Sequence, residues 1–144
     1  MLLALGLALS ACDPGVGTGL EDDTVLPCDV SSGASALSLT HGEALQIDWG
    51  DASVWAVAVT SPGARIGAMG KLESGILYWQ VASTEFGQPL TGPLTYGRVP
   101  EHGTDYTSFA GGVFAPLEPG SCYELQISDP SHQEFGRLQF RPPT

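Results

Sequence analysis

The sequence predicts an all-β fold, an antiparallel two-sheet sandwich of about seven strands, and three observations carry that expectation. Hydrophobic residues make up 42% of the 144-residue chain and charged ones only 15%, which is enough apolar material for a packed core. Nineteen Gly and eleven Pro punctuate the chain too often for long helices. Between them apolar and polar residues alternate at period two, the mark of strands that bury one face.

In chain order, Leu37 and Leu39 alternate with Ser38 and Thr40, and Leu45, Ile47 and Trp49 with Gln46 and Asp48. Trp55, Val57 and Val59 alternate with Ala56 and Ala58; Leu77, Trp79 and Val81 with Tyr78 and Gln80. A weaker strand is expected near Leu94 to Val99. Tyr123, Leu125 and Ile127 then alternate with Glu124 and Gln126, and Leu138 and Phe140 with Arg137 and Gln139. Turn signals separate these runs: His41-Gly42, Gly50-Asp51, Ser61-Pro62-Gly63, Pro119-Gly120 and Asp129-Pro130. Trp49, Trp55 and Trp79 stand in phase with aliphatic neighbours and read as core. Tyr78, Tyr96 and Tyr106 are freer, and are the tentative binding aromatics.

Residues 1–11, MLLALGLALSA, are uncharged and apolar or small. At 1.5 Å per residue such a run spans about half of a bilayer core, too little for a transmembrane helix but suited to the apolar core of a secretion signal. Its end, Leu9-Ser10-Ala11-Cys12, resembles the lipobox of bacterial lipoproteins. That resemblance implies cleavage between Ala11 and Cys12, diacylglyceryl on the Cys12 thiol and a fatty acyl group such as palmitate on its amine. It also implies a place in the cell envelope, with the lipid bilayer as partner. Signals of this kind open with Lys or Arg, so a few basic residues are expected upstream of Met1. Residues 12–27, rich in Gly, Pro and acid, read as a flexible linker, and 28–144 as the folded domain. Three cysteines in an exported chain leave one unpaired. With Cys12 assigned to lipid, Cys28 and Cys122 are the expected disulfide; two free thiols or an intermolecular bridge are the alternatives.

The stretch Leu117-Glu118-Pro119-Gly120-Ser121-Cys122-Tyr123 resembles the L-x-P-G-x-x-Y turn before the sixth strand of fibronectin type III domains. The resemblance implies that Tyr123 forms a tyrosine corner, its hydroxyl bonding back to the backbone. Trp49 sits where such domains place a core tryptophan. Pro93-Leu94-Thr95-Tyr96-Gly97 followed by the Leu117 turn is similar to uncharacterised lipoproteins of myxobacterial type, a likeness that brings no activity with it. The segment from Pro100 to Pro116 is long for a strand connection, which leaves topology open.

Sixteen acidic residues against five basic ones, a net charge of −11, argue against nucleic acid as a partner and against electrostatic binding to anionic lipid headgroups. No G-x-S-x-G, H-E-x-x-H, P-loop or C-x-x-C is present. His41, His102 and His132 with Glu43 or Glu101 form a conceivable zinc set, and Asp48, Asp51, Asp105 and Asp129 beside glycines a conceivable calcium set; neither has ligand spacing. The expectation is therefore an envelope protein with a non-enzymatic binding or structural domain and no cofactor. The alternatives are a carbohydrate- or peptidoglycan-binding module and, after it, a small metal-dependent hydrolase.

Overall fold

The computed structural model describes residues 28, 31–33, 37–84, 88–131 and 133–144. The expected signal peptide (1–11), Cys12, the linker (12–27) and His132 lie outside the described residues. The strands are β1 (Ser31–Gly33), β2 (Ser38–His41), β3 (Leu45–Asp48), β4 (Ala56–Thr60), β5 (Arg65–Ile66), β6 (Leu72–Ser74), β7 (Leu77–Ser83), β8 (Leu94–Thr95), β9 (Gly103–Asp105), β10 (Tyr123–Ser128) and β11 (Glu134–Phe140). One helical turn, α1 (Thr107–Ala110), lies between β9 and β10.

The fold is the expected all-β sandwich of antiparallel sheets. One sheet runs β2-β3-β8 and the other β1-β11-β10-β4-β7-β9, with β5 and β6 pairing as a separate hairpin. The chain crosses between the two large sheets after β1, β3, β7 and β8, the non-sequential order of an immunoglobulin-like sandwich. Leu45, Ile47 and Trp49 face Val57, Val59, Trp79, Val81, Leu125, Ile127 and Phe140 across the interior, all buried in one cluster. Their period-two spacing is what places them on facing surfaces.

Four details depart from the alternation in the sequence. Trp55 is only half-buried and outside the core cluster, while Val54 beside it is fully buried. The weaker strand shortens to Leu94–Thr95. The long connection from Pro100 to Pro116 supplies β9, which extends the larger sheet past β7, and α1. Fourth, a bulge interrupts the β4–β7 ladder: Val59 pairs with Trp79 but Thr60 with Leu77. The extra residue rotates the start of β7, so Leu77 joins Ala58 and Ala110 on the outer face while Tyr78 packs against the core.

That outer face is covered as well. All five residues of β4 are buried, because the β5–β6 hairpin and α1 lie over its second side through Ile66, Leu72 and Ala110. The strand meets them with Ala56 and Ala58, small side chains that permit close approach. The helical turn is closed by Gly111, whose φ of 101° is the left-handed conformation that glycine adopts without cost.

At the other side of the domain, the Tyr123 hydroxyl accepts the Glu118 N–H at 2.8 Å, which is the tyrosine corner. Next to it Cys28 and Cys122 form a disulfide, with Cα atoms 6.1 Å apart and a sequence separation of 94.

Candidate functional site

The register sorts the described turns at the strand ends between two ends of the sandwich. Glu124 pairs with Thr60 and Thr60 with Leu77. One end therefore carries Cys122, the Ser61–Gly63 turn, Gly75-Ile76 and the segment from Val113, whose N–H donates to the Leu77 carbonyl at 3.1 Å. It also carries the β2–β3 turn. The opposite end carries Asp48 and Asp51 after β3, Asp129 after β10, and His102, whose carbonyl accepts from Thr84 at 2.8 Å.

This division separates the conceivable zinc ligands. His41 and Glu43 sit at the first end, Glu101 and His102 at the second. Among the described residues no three His, Cys, Asp or Glu side chains gather as a metal set. The aspartates beside glycines cap turns. Asp48 accepts from Gly50 N at 3.2 Å, Asp105 from Thr107 N at 2.9 Å, and Asp129 from Ser131 and Gln133 N at 2.9 and 3.0 Å. Asp and Asn favour such positions because the side chain bonds the backbone two residues on.

Two concave regions stand out among the described residues. An open groove of about 410 Å3 lies against the β2–β3 turn, lined by His41, Glu43, Gln46, Thr95 and Arg98. Its polar rungs arise from the strand pleat: Gln46 and Thr95 pair across the β3–β8 ladder on the face away from the core, Gln46 Nε2 donating to Thr95 at 3.2 Å. The second is an internal cavity of about 20 Å3 under the β5–β6 hairpin, lined by Ala56, Ala58, Gln80, Gln126 and Ser128 among others. It has room for a single water, not a ligand.

Beneath the hairpin side of the sheet lies a polar network. Glu124 is fully buried. It accepts from Gly63 N and Gln139 Nε2 at 3.0 Å each and is ion-paired with Arg137. Arg137 also donates from Nε to Glu134 at 2.7 Å. The Glu134 hydrogen bond and the Glu124 and Glu134 charges, against an opposing burial effect, hold the Arg137 guanidinium above its ordinary value. With every carboxylate oxygen of Glu124 engaged inside the protein, the network braces the sheet.

Two of the three tentative binding aromatics are engaged internally. Tyr78 meets Tyr123 edge-on at 5.2 Å. Tyr96 packs between Trp79 at 5.0 Å and Phe114 at 5.4 Å, and its hydroxyl donates to the Ala115 carbonyl. Burial, then Tyr123 and Tyr78, push its phenol well above the ordinary tyrosine range. Tyr106 is nearer the surface, tilted against Phe109 at 4.8 Å. Phe109 in turn has the Lys71 ammonium 4.4 Å from its ring centre. Sequence reading did not single out Phe109, Ile76, Val113 or Phe114, all large, apolar and exposed. A single apolar residue in an irregular segment carries no periodic signal by which its exposure can be read.

No family model, curated protein or solved structure matches the chain.

Proposed function

We propose that this chain is a cell-envelope protein anchored to a bilayer through acylated Cys12, whose β-sandwich serves as a non-enzymatic binding or structural module. The observation that carries the reading is the Cys28–Cys122 disulfide. Disulfides persist in oxidising compartments outside the cytoplasm. The bond accounts for two of the three cysteines and leaves Cys12, behind its apolar run and two small residues, as the odd one. A groove walled by His41, Glu43, Gln46 and Arg98 on a disulfide-braced scaffold supports binding as the module's work.

Cell fractionation together with intact-mass measurement of detergent-extracted protein tests the anchor. The mature chain is expected to begin at Cys12 with the mass of its acyl groups. Cys12→Ser is expected to release the protein from the membrane fraction, since each buried methylene contributes about 0.8 kcal/mol and several chains together hold firmly. A mature protein with a free Cys12 thiol, or one beginning elsewhere, would sink the reading.

A further inference from the structure

We infer that the end of the sandwich bearing the Cys28–Cys122 disulfide rests on the bilayer itself, with Ile76, Val113 and Phe114 in the lipid interface. The inference builds on the proposed lipid anchor and adds an orientation and a second contact to it.

Three observations converge on this end. The first is where the tether joins. Cys28 is bonded to Cys122, its sulfur lies 3.1 Å from the Phe140 carbonyl, and β1 then runs along β11 from Ser31 opposite Leu138 toward Gly33 opposite Gly136. The chain therefore enters the domain at this end and proceeds toward the other. Cys28 follows Cys12 by sixteen positions, and that length reaches at most about 55 Å even fully extended. An anchor so close keeps this end at high effective concentration near the membrane, so a weak contact suffices to seat it.

The second is apolar exposure. Ile76, Val113 and Phe114 are 54%, 79% and 48% exposed. They share this end because Val113 pairs with Leu77, next to Ile76. Met69 and Phe109, 67% and 56% exposed, continue the patch up the adjoining side. Five large apolar side chains on one flank of an otherwise strongly acidic protein call for an apolar partner.

The third is charge. Lys71 lies over Phe109, Arg141 donates to the Gly120 carbonyl at 2.7 Å, and Arg98 lines the groove beside the β2–β3 turn. With Arg65, which is paired with Glu73 on the hairpin, these are the Lys and Arg side chains outside the Glu124 network; Arg65, Arg98 and Arg141 fall on the tethered half and Lys71 beside Phe109 on the adjoining side. Asp48, Asp51, Glu101 and Asp129 occupy the far end. Glu43, Glu73 and Glu118 share the tethered half with these cations, so among the described residues its charges nearly balance while the far end is acidic. Near an anionic bilayer the tethered end is the less repelled of the two. Lys71 and Arg141 have the long aliphatic stems that let a charge reach headgroups while the stem lies along apolar surface.

The test uses the full-length lipidated protein in vesicles of phosphatidylethanolamine and phosphatidylglycerol. A nitroxide is attached at Val113→Cys, at Ile76→Cys, and at Asp51→Cys as the far-end reference; with Cys12 acylated and the disulfide intact, each introduced thiol stands alone. Vesicle flotation reports the anchor, and collision with oxygen against a water-soluble nickel chelate reports the depth of each label. Expected is flotation of all three, with labels at 113 and 76 several-fold richer in oxygen collisions relative to the chelate than the label at 51. A protein that floats while its labels at 113 and 76 meet the chelate as freely as that at 51 overturns the inference and leaves the anchor standing. Protection at 113 that is already present in detergent and grows with protein concentration assigns the patch to a second copy, and overturns it too. Failure to float removes the anchor reading beneath it.

Discussion

Replacing Tyr123 by Phe isolates one hydrogen bond in the most local part of the fold. The ring is 5% exposed and held between Tyr78, edge-on at 5.2 Å, and Phe140, stacked at 5.8 Å. Phenylalanine keeps both contacts, so no cavity term of the size that follows a Phe→Ala change arises. What is lost is the acceptor of the Glu118 N–H at 2.8 Å. A fully buried donor left without a partner costs roughly 1–3 kcal/mol, and because this bond is part-buried the loss is expected toward about 1 kcal/mol. For a domain of this size each kcal/mol corresponds to a fall in Tm of about 3–6 °C. Urea denaturation with the disulfide intact, reported as a midpoint shift at constant slope, measures it. Tyr106→Phe is the control: its hydroxyl contact with the Met69 carbonyl is 3.4 Å and exposed, and its loss is expected to cost near zero. A Tyr123→Phe midpoint indistinguishable from that of Tyr106→Phe would refute the corner as a stabilising device.

Replacing Cys28 and Cys122 together by Ala is expected to cost about 4–5 kcal/mol by the chain-entropy argument for a 94-residue separation; recovery of both cysteines as alkylated free thiols from unreduced protein would remove the premise. Glu124→Gln keeps the shape of the buried side chain but leaves Arg137 to Glu134 alone, and a loss of about 2–4 kcal/mol is expected by denaturation. An unchanged midpoint would contradict the bracing role. Because burial raises the Tyr96 phenol above its ordinary 10.0, the folded state favours the neutral form. Its contribution is then complete below pH 10.0 and lost as pH rises beyond, where the unfolded chain ionises first. Tyr96→Phe is expected to lessen the fall in urea midpoint between about pH 8 and about pH 11; an identical fall in both proteins would count against it.

The sequence alone determined β2, β3, β4, β7, β10 and β11 and most of their core-facing residues, Trp55 and Leu77 excepted, since alternation at period two is a local record of burial on one face. The tyrosine corner was legible only through the resemblance of Leu117 to Tyr123 to the fibronectin type III turn, a short segment whose turn residues and acceptor lie within six positions of one another, and the structure forms the bond. Cysteine count narrowed the disulfide to Cys28 and Cys122, and the structure joins them. Only the tertiary structure decided that the larger sheet is covered on both faces. Glu124, Gln126 and Gln80 alternate with aliphatic residues and look solvent-facing, yet they are buried, because the β5–β6 hairpin and α1 fold over them from distant positions. The bulge that exchanges the faces of Leu77 and Tyr78 is equally invisible, since inserting one residue into a ladder depends on the partner strand. The same holds for the apolar end beside the disulfide. Ile76 and Phe114 are far apart in the chain, and only the tertiary structure, through the Val113 N–H on the Leu77 carbonyl, brings their segments to the same end.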